Sequence, residues 1–167
     1  MHQPPLIITL AFEKEAFDYF NTLRKQYFPA ERNFIDAHIT LFHALPNIDS
    51  VFNTARRFAI EQKVFDINIV EPFSLGKGVA FLVISEDLIK LHKKLQTEWL
   101  ELLTQQDKQK LKPHITIQNK VMIEEAKELL LKLKASYLPI TAKAYGLQIW
   151  EYHNGPWKLL EDLPFKN

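Results

Sequence analysis

The pattern of hydrophobic and polar positions divides the first half of the chain into strands alternating with helices. Residues 6–10 and 37–42 are apolar runs of strand length. Residues 16–27 and 51–59 repeat apolar side chains at intervals of three and four, the spacing of a helix with one buried face. Residues 65–69 alternate apolar and polar side chains, which predicts a half-buried strand.

The second half of the chain repeats this order of elements. Residues 79–84 and 113–117 read as strands, and the patterns at 88–103 and 123–133 read as the helices that follow them. A polar surface connection is expected at 105–110. Further strands are predicted near 140–150 and 157–160, separated by an Asn-Gly-Pro turn.

The two halves are related by a single offset of 76 positions, which is the distance from His38 to His114. The same shift carries the strand at 6–8 onto 82–84 and the helix at 51–59 onto 127–135. We therefore predict an α+β fold and a single domain over residues 1–167. Its two lobes, approximately 1–75 and 76–167, form a pseudo-two-fold repeat of strand-helix-strand-helix units. Two antiparallel sheets flank a central cleft, and exchange of strands between the lobes is left open.

Composition excludes several classes of function. The 167 residues are 47% hydrophobic and 25% charged with a net charge of +1, which is typical of a globular domain and unlike a general binder of duplex DNA. The absence of cysteine excludes disulfides and thiolate chemistry. The N-terminus lacks the features of a signal peptide, and no stretch is long enough to span a membrane, so the expected location is cytoplasmic.

Candidate chemistry lies in two matched segments, His38-Ile39-Thr40-Leu41 and His114-Ile115-Thr116-Ile117. Alternate side chains of a strand share a face, so each histidine lies beside its threonine while the apolar residues face the core. A neutral and a protonated histidine provide a base and an acid near pH 7. Threonine hydroxyls can donate to phosphate oxygens. One such strand is usually structural, but two copies at equivalent places of a repeat favour an acid–base site for phosphodiester cleavage.

These segments resemble the two His-x-Thr/Ser-x motifs of the 2H phosphoesterase superfamily, which includes 2′-5′ RNA ligase-like proteins and 2′,3′-cyclic phosphodiesterases. The resemblance implies hydrolysis of a 2′,3′-cyclic phosphate or a 2′-5′ linkage on RNA ends or nucleotides, without metal or other cofactor. It implies that His38, Thr40, His114 and Thr116 form the active site. After the first motif many bacterial ligase-like members carry an Ala-Phe-Leu-Gly type of continuation, whereas this chain has Phe42-His43-Ala44-Leu45-Pro46. After the second motif many have an Ala-Arg pair, and this chain has Gln118-Asn119. These departures leave the substrate open.

Secondary candidates flank the motifs. We assign Lys112, Phe42 and Gln118 to substrate binding because alternation places them on the faces of the histidines, although Lys112 is also compatible with a solvated strand end. Asp36 precedes His38 in the equivalent place, and a loop carboxylate is its preferred interpretation. His43 should face away from His38 and be structural.

The partner expected from these residues is an RNA terminus, a short oligonucleotide or a nucleotide, bound by a monomer. Aromatic residues of the last strands offer stacking surfaces for an unpaired base, or they fill core: Tyr145, Trp150, Tyr152 and Trp157. Two alternatives to hydrolysis stay open. One is RNA 2′-5′ ligation, which is the reverse reaction of the same two histidines. The other is a nucleotide- or RNA-binding module without turnover.

Overall fold

A computed structural model describes residues 2–167, so Met1, which the sequence places in the predicted domain, lies outside the described residues. The secondary structure confirms the α+β class. The elements are β1 (Leu6–Phe12), α1 (Lys14–Tyr27), β2 (Ile39–Leu45), α2 (Asp49–Glu61), β3 (Phe65–Ser74), β4 (Val79–Ile84), α3 (Glu86–Glu98), β5 (His114–Gln118), α4 (Ile123–Ser136), β6 (Ile140–Tyr152) and β7 (Trp157–Pro164). None of these helices is both long and apolar enough to cross a membrane.

The third helix is shorter than its sequence pattern predicts. It begins after Ser85, whose hydroxyl accepts a hydrogen bond from the Leu88 amide at 3.2 Å and so satisfies one free donor of the first turn. It ends at Glu98 rather than near Leu103, because the backbone of Trp99 leaves the α-helical conformation and the chain continues as a short 3₁₀ turn. The buried Trp99 ring packs edge-on against Phe42 of β2, with ring centroids 5.0 Å apart. The helical spacing of buried apolar residues therefore extends beyond the last residue of the helix.

The strands form one continuous antiparallel sheet, which corrects the predicted pair of sheets. Along the sheet the order is β2-β1-β6-β3-β4-β5, and β7 also pairs with β6. The sheet is continuous because β6 is 13 residues long. Its first residues pair with β3 (Ile140 to Ala144), and its later residues pair with β1 on the opposite edge (Ala144 to Glu151). One strand thereby joins the two groups of strands that the sequence pattern suggested were separate.

The two repeats exchange elements. The third strand of each repeat pairs with the first strand of the other, since β3 pairs with β4 and β6 pairs with β1. The first helix of each repeat also crosses over: α1 packs against β5. From α3, His92 stacks on Phe42 of β2, with centroids 4.6 Å apart. The motif strands β2 and β5 are the two edges of the sheet, and its curl brings them into contact with each other.

Candidate active site

Both candidate histidines are held by the backbone that precedes them. The Nδ1 atom of His38 lies 2.8 Å from the Asp36 carbonyl oxygen, and Nδ1 of His114 lies 2.8 Å from the Lys112 carbonyl oxygen. A carbonyl only accepts, so Nδ1 carries the proton in both rings. In a neutral ring Nε2 is then the unprotonated nitrogen and is free to accept a proton. The two repeats therefore present their imidazoles in the same tautomer.

The two threonines lie two residues further along their strands. Thr40 and Thr116 are half-buried, as are both histidines, while Ile39 and Ile115 are fully buried on the opposite face. Within residues 2–167 neither threonine hydroxyl has a hydrogen-bond partner, which leaves both available to a ligand. The contact between β2 and β5 brings the two motif strands together, and the two histidines are near enough for the charge of His114 to act on His38.

His38 has a strongly perturbed acidity. Burial lowers its pKa to about 4, and the positive charges of Arg24, His114 and His43 act in the same direction. The hydrogen bond to the Asp36 carbonyl opposes this shift by favouring the charged ring. Its ring also packs against Trp157, with centroids 4.7 Å apart. At neutral pH His38 is therefore an uncharged imidazole with a free Nε2.

Polar side chains of α1 hold β5 and the segment just before β2, a feature that the sequence pattern did not predict. Buried Arg24 donates from Nη1 to the Thr116 carbonyl at 2.9 Å and from Nε to Asn33 at 2.8 Å. Burial lowers the pKa of Arg24 to about 10, so it stays charged at neutral pH. The Asn21 amide oxygen accepts from the Ala37 amide at 2.9 Å. This role could have been predicted from the presence of polar residues on the buried face of an amphipathic helix.

The carboxylate of Asp36 does not contact the His38 ring. It accepts a hydrogen bond from Asn21 Nδ2 at 3.2 Å, and only the Asp36 backbone carbonyl reaches the imidazole. This agrees with its interpretation as a loop carboxylate. Across residues 2–167, no group of three or more His, Asp or Glu side chains is arranged to hold a metal ion.

A β-bulge after each motif corrects the assignment of Phe42 and Gln118 to substrate binding. In β2 the pairing with β1 shifts by one residue between Thr40 and Phe42, and in β5 the pairing with β4 shifts between Thr116 and Gln118. An extra residue turns every later side chain to the other face. Phe42 is 0% exposed and Gln118 is 1% exposed, so both lie in the interior, away from the site.

The same bulge also changes the interpretation of His43, which was expected to face away from His38. The shift turns His43 outward, and its charge acts on His38. Its Nδ1 lies 2.9 Å from a carboxylate oxygen of Asp107, whose side chain is 1% exposed. Asp107 also accepts the backbone N–H groups of His43 and Ala44. Asp107 lies in the segment predicted as a plain surface connection, and no local pattern there indicated this contact.

The site opens into a cavity on the His38 side. This cavity measures about 630 Å³ and is rich in aromatic side chains. Its aromatic lining is formed by Phe12, Phe17, Phe34, Tyr145, Trp150 and Trp157. Of the four aromatic residues predicted for stacking, Tyr152 does not line this cavity and the other three do. Gln148 and Asp36 add hydrogen-bonding groups to the wall.

A second groove, of about 930 Å³, begins at His114. Lys112 is exposed and lines this groove together with His114. Phe73 contacts the His114 ring edge-on, with centroids 6.0 Å apart. The two histidines therefore adjoin two different cavities, one aromatic and one lined by lysines.

Comparison with known proteins places this geometry in a wider group. The model of the 2′-5′ RNA ligase superfamily matches residues 12–156. A solved phosphoesterase is 15% identical, with a TM-score of 0.64 and 99% of both chains covered. TT0787 of Thermus thermophilus is 16% identical, with a TM-score of 0.65 and 98% of both chains covered. LigT of E. coli, solved with NADP+, is 15% identical, with a TM-score of 0.63 over the full length of both chains. No curated protein sequence matches the chain significantly.

Proposed function

Since the chain belongs to the 2′-5′ RNA ligase superfamily, we propose that it is a metal-independent phosphodiesterase in which His38 and His114 transfer protons to and from the substrate. The proposed substrates are 2′,3′-cyclic phosphates and 2′-5′ linkages, on RNA ends or on nucleotides. The observation that carries this proposal is the equivalent hydrogen bonding of the His38 and His114 rings. Each Nδ1 is bound to a backbone carbonyl, so each Nε2 is free to act on a ligand.

The lowered pKa of His38 supports a division of roles. A base must be unprotonated, and His38 meets this condition throughout the neutral range. In the proposed reaction its Nε2 takes the proton of the attacking water or hydroxyl. His114 then gives a proton to the oxygen that leaves phosphorus. Thr40 and Thr116 donate hydrogen bonds to the non-bridging oxygens, on which negative charge increases in the transition state.

The aromatic cavity beside His38 supports a nucleoside as the bound group. Its Trp150 and Trp157 rings are 6.1 Å apart and steeply inclined to each other, and both border the cavity. An unpaired base gains roughly 1–3 kcal/mol from stacking on such a ring. Structures of E. coli LigT have been solved with 3′-AMP and with ATP, which is consistent with nucleotide binding by this fold.

The test is hydrolysis of nucleoside 2′,3′-cyclic phosphates and a 2′-5′ dinucleotide in the presence of a chelator. We expect His38→Ala and His114→Ala each to lower kcat by roughly 100- to 10,000-fold. His2→Ala serves as the matched control, because His2 is exposed and lies outside both motifs in the sequence. Activity that survives both motif variants would refute the assignment. Nucleotide binding without turnover by the wild type would instead identify a binding module.

A substrate with an activated leaving group separates base from acid. A 4-nitrophenyl phosphodiester of the same nucleoside releases nitrophenolate, which needs no proton from the enzyme. We therefore expect this substrate to restore much of the activity of His114→Ala and little of that of His38→Ala. The opposite pattern would exchange the two roles while leaving the pair itself in place. Formation of 2′-5′ bonds from the cyclic phosphate and a 5′-hydroxyl end would demonstrate the reverse, ligase direction.

A further inference from the structure

His43 continues the row of polar side chains that His38 and Thr40 begin on one face of β2. The bulge that follows Thr40 adds one residue to the strand, so His43 rather than the buried Phe42 is the next side chain on this face. The His43 side chain is 43% exposed, and its charge acts on the His38 ring. A third histidine therefore accompanies the motif pair, although it belongs to neither motif.

The ring of His43 is held by a buried carboxylate. Its Nδ1 lies 2.9 Å from an oxygen of Asp107, whose side chain is 1% exposed. Asp107 is in turn held from α3, where Gln96 donates from Nε2 to the Asp107 carbonyl oxygen at 2.9 Å. The same Gln96 amide donates to the Gln109 carbonyl oxygen at 2.9 Å. The orientation of one exposed ring thus depends on β2, on α3 and on the segment between α3 and β5.

The bond from the imidazole to Asp107 is separate from the bonds that hold the bulge. The backbone N–H groups of His43 and Ala44 already donate to this carboxylate, and the imidazole is a third donor. A carboxylate only accepts, so Nδ1 carries the proton and Nε2 is directed away from Asp107. Within residues 2–167 this Nε2 has no hydrogen-bond partner. The ring is therefore oriented in advance, with one nitrogen available to a ligand.

We propose that His43 is a further substrate-binding residue, which donates from Nε2 to an oxygen of the phosphate that Thr40 binds, and that Asp107 is its positioning residue. The inference rests on the proposed function, in which this phosphate lies at the two motifs. With Nδ1–H on the carboxylate, the ring donates from Nε2 only as an imidazolium. In the complex that cation lies between two anions, so a proton from solvent binds together with the phosphate.

The other titratable groups around His43 do not replace this pairing. His38 on the same strand and His92 of α3 are the further groups whose charges couple to that of His43, and neither is an anion. The His92 ring is buried, and its Nε2 lies 3.0 Å from the Leu41 carbonyl oxygen, to which it donates. Asp107 is therefore the one carboxylate that contacts the His43 ring in the part of the chain that the structure describes.

The variant His43→Asn separates the ligand contact from the support of the bulge. The asparagine amide takes the place of Nδ1–H toward Asp107, but nothing takes the place of Nε2. His153→Asn is the matched control, because His153 is another exposed histidine paired with a carboxylate, that of Glu151 at 2.8 Å. Both variants should keep the urea unfolding midpoint of the wild type, which shows that a change in binding does not come from a change in folding.

Phosphate affinity is the first measurement. Isothermal titration calorimetry at about pH 6.5 gives the dissociation constants of inorganic phosphate and of adenosine 3′-monophosphate. We expect His43→Asn to raise both constants roughly ten- to 100-fold, the effect of one charge-assisted hydrogen bond, and His153→Asn to leave them unchanged. Equal affinities of His43→Asn and the wild type would overturn the proposal.

Proton uptake is a second measurement, which a purely structural role of His43 would not change. Titrations of adenosine 3′-monophosphate at about pH 7.5, in buffers of different ionisation enthalpy, report the protons that bind with the ligand. We expect the wild type to take up roughly 0.5 to 1 proton more per ligand than His43→Asn. Equal uptake would refute the imidazolium contact.

The role of Asp107 is tested by Asp107→Asn, alone and combined with His43→Asn. If the carboxylate acts through the ring, Asp107→Asn weakens phosphate binding in the wild-type background and has no further effect in the His43→Asn background. Circular dichroism verifies that each variant is folded at the temperature of the titration. Equal weakening in both backgrounds would refute the positioning role of Asp107.

Kinetics separate the failure of this proposal from the failure of the proposed function. If the wild type hydrolyses a cyclic phosphate through His38 and His114 while His43→Asn keeps the wild-type kcat/KM, the phosphodiesterase stands and the role of His43 is refuted. If no substrate is hydrolysed but phosphate binding depends on His43, the phosphodiesterase proposal fails and the phosphate contact is supported. If the wild type binds neither phosphate nor adenosine 3′-monophosphate and hydrolyses nothing, both proposals fail.

Discussion

Replacing Asp107 by asparagine tests whether a buried carboxylate maintains the bulge of β2. The two carboxylate oxygens accept the backbone N–H of His43 at 2.9 and 2.8 Å, the N–H of Ala44 at 3.0 Å and the Nδ1–H of His43 at 2.9 Å. Asparagine keeps one of these oxygens and turns an NH₂ group toward backbone donors. At least one charge-assisted hydrogen bond is lost, and each is worth about 1.5–3 kcal/mol. We expect Asp107→Asn to lower the free energy of unfolding by about 2–4 kcal/mol.

The effect should depend on pH in a defined direction. Burial raises the pKa of Asp107, but the hydrogen bonds from His43 and Ala44 outweigh burial and hold it below its ordinary value of 3.8. A carboxyl whose pKa is lower in the folded state contributes stability above its unfolded pKa and loses it as the pH falls through the folded value. The difference between wild type and variant should therefore persist from neutral pH to about pH 5 and shrink below about pH 4.

Urea unfolding followed by tryptophan fluorescence measures this difference at each pH. Asp162→Asn is the matched control, because Asp162 is exposed and should change stability by less than about 0.5 kcal/mol. If Asp107→Asn unfolds with the free energy of the wild type at neutral pH, the carboxylate does not maintain the bulge. A difference that grows on acidification would also contradict the reasoning, because it has the wrong sign.

Three further predictions follow from single contacts. Gly78→Ala drives a Cβ into the Gln118 carbonyl oxygen, so thermal unfolding should show a loss of about 1–3 kcal/mol; an unchanged melting temperature would contradict this. Because the pKa of His38 is lowered to about 4 in the folded chain, this histidine is protonated in the unfolded chain at a higher pH, below about 6.5. Wild-type stability should thus decrease between about pH 6.5 and 4, and His38→Asn should flatten that decrease in urea titrations. Trp157→Ala removes a wall of the aromatic cavity beside His38, where we propose that a nucleoside binds, and Michaelis kinetics should show KM raised about ten-fold with a smaller change in kcat.

The strands, helices and equivalent motifs could be predicted from the sequence, because they depend on local periodicity and on the internal repeat. The 76-residue offset located equivalent strands, and the bond from each Nδ1 to the carbonyl two residues earlier lies within the motif's own segment. The alternation of side chains between the two faces of β2 breaks after Leu41, so it did not predict the orientation of the next residue. Whether a strand gains a bulge depends on its partners, here β1 and the Asp107 carboxylate 64 positions away. Phe42 was therefore placed on the wrong face, although its strand was predicted correctly.

The continuity of the sheet could likewise not be predicted from local sequence patterns. It depends on β6 pairing with β3 at one end and β1 at the other, and nothing in the apolar pattern of 140–150 specifies two partners. The roles of Asn21 and Arg24 depend on α1 crossing to the other repeat, where Arg24 reaches the Thr116 carbonyl 92 positions away. Periodicity identified the buried face of this helix but not the strand against which it packs.

The exchange of strands between repeats also determines when the molecule can fold during synthesis. Ile8 of β1 pairs with Ile149 of β6, so the central part of the sheet cannot form until β6 has left the ribosome. Contacts so distant in sequence slow folding and leave early strands unpaired in the meantime. The apolar β1 and β2 are thus exposed in the nascent chain, where we expect them to bind chaperones. A nascent fragment that ends before β6 therefore lacks the strand that joins the His38 half of the sheet to the His114 half.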